Sequence, residues 1–216
     1  MRCHSELVEE SVFPCKQRLA RAYSSQENGS FDSGKAVAQD DTSNQLLDKR
    51  SFEEGRKDML LGRQNLNGRS GHDAGRELLA QMYREYTGIQ MPEILATDRG
   101  KPYFADGPHF SISHTKEVVF CALSEHPIGI DAEQLDRKID LRLADKILSP
   151  AERSEYDAAE DKRHALLTFW VLKEAAAKCS GEGLRGYPNK TVFSLSDPRV
   201  TIQNGCIIAV IEEQEK

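Results

Sequence analysis

From residue 74 onward the chain alternates between two hydrophobic periods. Leu78, Leu79, Met82, Tyr83 and Tyr86 recur at helical spacing with Gly88 just beyond, which predicts an amphipathic helix over 74–87. Gly100-Lys101-Pro102-Tyr103-Phe104 reads as a turn entering an extended segment. His109–Ser113 then alternates as a strand, Val118–Leu123 reads as a buried strand, and Pro127 restarts the chain into Ile128–Glu133. Three short strands in succession predict one antiparallel sheet. Leu141–Leu148 is a helical run. Ser149-Pro150-Ala151-Glu152 has the form of a capping box with proline at the first helical position. Asp161–Lys178 is the longest helical pattern, closed by Gly181 and Gly183. Thr191–Ser196 and Val200–Ile211 read as strands, the second folded at Asn204-Gly205, a pair suited to a type I′ turn. Helices and strands interleaved by short links give an α+β class.

The first part of the chain differs. Ser24–Gln45 holds Phe31, Ala36, Val37 and Ala38 as its apolar residues among Ser, Gln, Asn, Asp and Gly, too little to offset the entropy of ordering. Residues 1–45 are therefore expected to be disordered or loosely attached, with a weak local contact among Val12, Phe13 and Leu19. Residues 46–70 are mixed and basic (Lys49, Arg50, Arg56, Lys57, Arg63, Arg69), with a short helix expected around Phe52–Leu61.

Composition narrows the function. The 216 residues carry 29 Lys+Arg against 35 Asp+Glu, a net charge of −6, which argues against sequence-independent nucleic-acid binding. No apolar run is longer than Val118–Leu123, which is far short of the roughly 20 residues of a membrane span. No signal-type apolar stretch follows Met1. The five cysteines, Cys3, Cys15, Cys121, Cys179 and Cys206, include no C-x-x-C pair. A cytoplasmic protein, bound neither to membrane nor to nucleic acid, is expected.

Two segments carry candidate chemistry. On a strand, Ile128, Ile130 and Ala132 share one face and Gly129, Asp131 and Glu133 the other. Asp131 and Glu133 then stand roughly 6–7 Å apart and repel unless something positive lies between them. Mg²⁺ would satisfy both, with side-chain-free Gly129 leaving room for a ligand; a strand face turning two acids to water is the plainer alternative. On the long helix, Trp170, Glu174, Ala177 and Lys178 lie on one stripe with Lys173 at its edge, and Ala175–Ala177 keep the helix slim. Glu174 and Lys178 are either an ordinary i,i+4 pair or part of a site. Glu174 meeting Asp131 and Glu133 around Mg²⁺, with lysines at the rim, would suit a diphosphate.

Five motifs stand in order: Gly100-Lys101-Pro102, Phe110-Ser111-Ile112-Ser113-His114, Gly129-Ile130-Asp131-Ala132-Glu133, Leu148-Ser149-Pro150-Ala151-Glu152, and Phe169-Trp170-Val171-Leu172-Lys173-Glu174-Ala175-Ala176-Ala177-Lys178. In order and approximate spacing they resemble the surfactin-type phosphopantetheinyl transferases over about residues 74–196. The resemblance implies an α+β, two-lobed pseudo-dimer in which each lobe is a small antiparallel sheet packed with helices. Residues 46–125 would be an incompletely matched first lobe, 126–216 the second lobe with the metal site, and 1–45 an atypical segment unlike the family's usual opening strand and basic stretch.

It further implies transfer of 4′-phosphopantetheine from coenzyme A to a serine of an apo acyl carrier protein or peptidyl carrier domain, with release of 3′,5′-ADP. Asp131, Glu133 and Glu174 would hold Mg²⁺. Glu174 would also be the base for the serine hydroxyl, directly or through water, and Lys178 would stabilise or protonate the departing nucleotide. Lys173 would sit by the phosphates. His114 would contact the 3′-phosphate of coenzyme A with Ser113 beside it, Lys101 would line the nucleotide pocket, and Arg76 resembles a phosphate-binding arginine. Glu152 would be structural. Taken singly, without the order of motifs, the plainer readings lead: His114 as a turn histidine, Lys101 as an exposed loop lysine and Arg76 as the polar face of a helix. Two lobes in one chain imply a monomer. The alternatives are a non-catalytic relative that binds coenzyme A or a carrier domain, and a different Mg²⁺-dependent phosphoryl-transfer enzyme or hydrolase.

Overall fold

Strand Val118–Ser124 shows why its sequence is apolar at nearly every position: all seven residues are buried, because both faces of the strand are covered. In the computed structural model, which describes residues 46–47, 59–184 and 191–213, the strands in chain order are β1 (Leu46–Leu47), β2 (Leu60–Asn65), β3 (Leu95–Ala96), β4 (Pro102–Tyr103), β5 (His109–His114), β6 (Val118–Ser124), β7 (Ile128–Gln134), β8 (Val200–Gln203) and β9 (Cys206–Glu212). The helices are α1 (Gly71–Thr87), α2 (Ala144–Ile147, preceded by a 3₁₀ turn at Leu141–Leu143), α3 (Pro150–Ala158) and α4 (Lys162–Ser180).

β6 sits between β2 and β5 in an antiparallel sheet of order β1-β2-β6-β5. Val119, Cys121 and Leu123 point to α1 and pack with Leu78, Leu79, Met82 and Tyr83. Val118, Phe120 and Ala122 point the other way, onto Ile128, Ile130 and Ala132 of β7 and Cys206 and Ile208 of β9. The second sheet, β7-β9-β8, is also antiparallel. Its far face, with Ile207, Ala209 and Ile211, packs on α4 through Leu166, Phe169, Leu172 and Ala175.

Mixed helices and small antiparallel sheets meet the α+β expectation. One feature of the predicted sheet is corrected: β7 does not continue the β5–β6 ladder but pairs with β9. The reason lies in two serines. Ser111 and Ser113 stand on the face of β5 turned toward β7, and their hydroxyls accept the N–H groups of Ile130 (3.0 Å) and Ala132 (3.1 Å). Buried edge donors that would otherwise need a backbone partner are thus satisfied by side chains.

Most local expectations match. Ser149 and Glu152 form the capping box, with Ser149 N–H donating to Glu152 Oε2 at 2.7 Å. Asp161 caps α4 and Gly181 ends it in the left-handed region. Asn204 and Gly205, both at positive φ, turn the β8–β9 hairpin. Two expectations fail. Thr191–Ser196 is not a strand: the Phe193 N–H is taken by Glu152 Oε1 (3.0 Å) and the Leu195 N–H by Glu155 Oε2 (2.8 Å), so acids of α3 replace a neighbouring strand. The helix expected over Phe52–Leu61 is overturned at its end, where Leu60 and Leu61 begin β2; residues 52–58 lie outside the described residues, as do residues 1–45 apart from their sequence. Among the described residues no helix is long and apolar enough to cross a membrane.

Candidate active site

The site forms where α4 crosses β7. Gly129 sets that crossing: a Cβ there would lie 2.0 Å from the Ala175 carbonyl oxygen and 2.5 Å from the Cys179 nitrogen. The space beside Gly129 is therefore filled by the backbone of α4 rather than kept for a ligand, which corrects the sequence-based reading. The small residues Ala175–Ala177 make the close approach reachable from the helix side, as expected of a slim helix.

This approach brings the acidic strand face to the helix stripe. Lys178 Nζ donates to Asp131 Oδ1 at 2.7 Å and to the Ile130 carbonyl at 3.2 Å. Ser113 Oγ donates to the same Oδ1 at 3.0 Å. Asp131 is buried, and among the described residues its Oδ2 has no hydrogen-bond partner. Glu174, one turn before Lys178, faces Asp131: burial, and next the negative charge of Asp131, push its carboxyl up to about 7 against the smaller pull of Lys178 and Arg137. Two carboxyl groups stand near one another, Asp131 buried with an orphaned oxygen and Glu174 half-buried. That donor set suits a hard divalent cation.

Glu133 is not gathered with them. Its carboxylate is turned to Arg137, in the turn after β7, and among the described residues no three acidic, histidine or cysteine side chains stand close enough together to hold a metal ion. Positive charge at the site comes from Lys178 and Arg137. Arg137 is a residue that sequence reasoning missed. It also lies 5.8 Å from the Trp170 ring centre, and a four-residue separation from Glu133 across a turn has no periodic signature that would have marked it.

Lys173 does not stand by a phosphate surface. It is 1% exposed and pairs at 2.9 Å with Glu152, which is fully buried, so the expectation for Lys173 is corrected. A residue one position before Glu174 points about 100° around the helix, here toward α3 and away from β7. Glu152 is structural, as expected, and its role exceeds a cap: one carboxylate takes the Ser149 N–H, the Phe193 N–H and the Lys173 ammonium. Ser113 is likewise corrected, because its buried hydroxyl is committed to Ala132 and Asp131 rather than offered to a ligand.

The remaining candidates lie at element ends. The His114 ring covers Gly71, the first residue of α1, where a Cβ would meet the ring at 2.6 Å. Arg76 Nε donates to His72 Nε2 at 3.2 Å on the same first turns. The Lys101 ammonium donates to the Cys179 carbonyl at the end of α4, with its stem against Gly181. Burial lowers the Lys101 pKa, offset by Cys179 and Glu213.

Comparison with known proteins agrees with the motifs. Residues 127–213 match the family model of the 4′-phosphopantetheinyl transferase superfamily. The chain is 33% identical over 121 residues to the 4′-phosphopantetheinyl transferase gsp of Aneurinibacillus migulanus, covering 52% of this chain and 51% of that protein. It is 30% identical over 136 residues to psf-1 of Bacillus pumilus (60% and 58%), and 40% identical over 90 residues to Sfp of Bacillus subtilis strain 168 (39% of each). The chain spans about half the length of these relatives. The family model and three of the five motifs fall on the same stretch, and the chain is similar to the surfactin-type 4′-phosphopantetheinyl transferases.

Proposed function

We propose that this protein transfers 4′-phosphopantetheine from coenzyme A to a serine hydroxyl of an apo acyl or peptidyl carrier protein and releases 3′,5′-ADP. The observation that carries the reading is the meeting of Asp131 and Glu174 beside Lys178, on the stretch that matches the family model. Asp131 and Glu174 would hold Mg²⁺, with Glu133 joining them once it leaves Arg137. The ion would supply neutralisation of diphosphate charge and orientation of the leaving group.

The chain's own residues do the rest. Glu174, on the α4 face turned to Asp131, would accept the proton of the incoming serine, directly or through water. Lys178 is partly exposed, unlike Asp131, so its ammonium reaches outward from the carboxylate to the charge that grows on the departing nucleotide. His114, whose ring covers Gly71, and Arg76, on the early turns of α1, are the groups for the nucleotide phosphates, in the field of a helix N-terminus. Lys101, at the end of α4, borders the same nucleotide. A two-lobed arrangement is supported by each sheet having its own long helix, α1 on one and α4 on the other. The further features of the reading are a monomer and a cytoplasmic location.

Coenzyme A, Mg²⁺ and a panel of apo-carrier proteins are incubated with the protein, and the carriers are weighed by mass spectrometry. A gain of one phosphopantetheine group by at least one carrier, lost in Glu174→Ala, is the expected result. Carriers that stay unmodified, with wild type and Glu174→Ala behaving alike, would remove the reading; uptake of coenzyme A without transfer would leave the binding relative in its place, and release of inorganic phosphate a hydrolase.

A further inference from the structure

The seam between β5 and β7 does more than join two sheets. Ser113 Oγ accepts the Ala132 N–H at 3.1 Å. An amide can only donate, so the hydroxyl's one proton is free to be aimed elsewhere, and it points to Asp131 Oδ1 at 3.0 Å. Lys178 approaches the same oxygen at 2.7 Å. Both donors therefore meet on Oδ1, and Oδ2 is left buried with no hydrogen-bond partner among the described residues. Lys178 is a long, partly exposed side chain, held by a second bond to the Ile130 carbonyl at 3.2 Å. Ser113 is short, buried and anchored by backbone. Of the two, Ser113 has the shorter and more deeply buried side chain, with fewer rotations left to it, and so holds the carboxylate more rigidly.

We propose that Ser113 is a positioning residue: its hydroxyl, clamped by the Ala132 N–H, holds Asp131 Oδ1 and thereby presents Oδ2 to a divalent cation. This rests on the reading of Asp131 and Glu174 as cation ligands. It assigns the buried serine of the β5 strand to the orientation of an acidic group on the neighbouring sheet, not to contact with coenzyme A. Outer partners of this kind commonly contribute roughly 10–100-fold to metal affinity by fixing ligand orientation.

Ser111 supplies an internal control. It accepts the equivalent bond from the Ile130 N–H at 3.0 Å, so Ser111→Ala removes the same kind of seam bond while leaving Ser113 on Asp131. Mn²⁺ is titrated into the metal-free full chain and free ion is read by electron paramagnetic resonance. Thermal unfolding of each variant is measured in parallel. Expected are a loss of Mn²⁺ affinity of about tenfold or more in Ser113→Ala, an affinity within about twofold of wild type in Ser111→Ala, and similar drops in melting temperature for the two. In turnover, Ser113→Ala raises the Mg²⁺ concentration needed for half-maximal rate more than it lowers the rate at saturating Mg²⁺. Should Ser113→Ala not fold, Ser113→Cys, a weaker donor of similar size, takes its place in the same comparison. Unchanged affinity in the Ser113 variant, or equal losses in both serine variants, overturns the proposal. A wild-type protein that takes up no Mn²⁺ overturns the cation reading of the acidic pair itself and this inference with it, a result distinct from the other two.

Discussion

Lys173 Nζ lies 2.9 Å from Glu152 Oε1, with 1% and 0% of the two side chains exposed. The pair joins α3 to α4 at a point where Glu152 also accepts the Phe193 N–H, so one carboxylate ties two helices and the 191–195 segment. Removing one partner leaves the other charged or polar in an apolar surrounding. Lys173→Met is expected to destabilise the chain by about 3–5 kcal/mol in urea unfolding. Adding Glu152→Gln to it is expected to recover part of that loss, because it removes the unpaired buried charge while keeping an acceptor for one of the two backbone N–H groups. Equal stability of Lys173→Met and wild type would show that the pair is not what fastens α3 to α4.

Gly129 admits no side chain. With a Cβ 2.0 Å from a backbone oxygen of α4, Gly129→Ala must push the helix away from β7. The expected cost is about 3 kcal/mol or more, at the upper end for overpacking, since backbone rather than a flexible side chain must move. The same shift separates Lys178 from Asp131, so activity is expected to fall even where the variant stays folded. Retention of both stability and rate would contradict the tight crossing.

Glu174 makes the metal-free protein sensitive to pH. Its carboxyl titrates near 4.5 when exposed and at about 7 in the fold, raised first by burial and next by Asp131. The folded chain therefore keeps a proton that the unfolded chain releases. The stability linked to that proton is fully present below about pH 4.5 and is lost as pH rises through about 7, amounting to about 3 kcal/mol. Denaturant unfolding across this range is expected to show a falling contribution in wild type that is absent in Glu174→Gln. A divalent cation is expected to reduce the fall, because it favours the ionised carboxylate.

Trp170, the single tryptophan of the chain, reports on the acidic cluster through Arg137, which stands over its ring and pairs with Glu133. Recruitment of Glu133 to a cation would release Arg137 from that pair. Titration with Mg²⁺ is expected to change the intrinsic fluorescence, and Glu133→Gln to abolish most of the change. A flat titration in a protein that binds the ion by other measures would mean that Glu133 stays with Arg137.

Much of this arrangement is legible in the chain itself where the cause is local. The capping box at Ser149–Glu152, the stop of α4 at Gly181 and the turn at Asn204-Gly205 each depend on a few neighbouring residues and on backbone geometry, and each stands as the sequence predicts. The strand at Thr191–Ser196 does not, because its hydrogen-bonding groups are claimed by Glu152 and Glu155, about 40 residues away. Arg137 was invisible for a similar reason, since its partners meet it only through a turn and a helix crossing.

Residue pattern alone determined which faces of β7 and α4 carry acids, lysines and small side chains, because the two-residue repeat of a strand and the 3.6-residue repeat of a helix are properties of the local backbone. Which of those groups touch was decided by tertiary packing. Gly129 lets α4 settle on β7 at one spot, and that spot puts Lys178 and Glu174 on Asp131 while Lys173, one residue away, turns into the interior toward Glu152. The same packing lays β5 beside β7, so that Ser113 closes on Asp131 across 18 residues of chain. Neither contact follows from spacing, since each depends on the distance between two elements that only the folded core establishes.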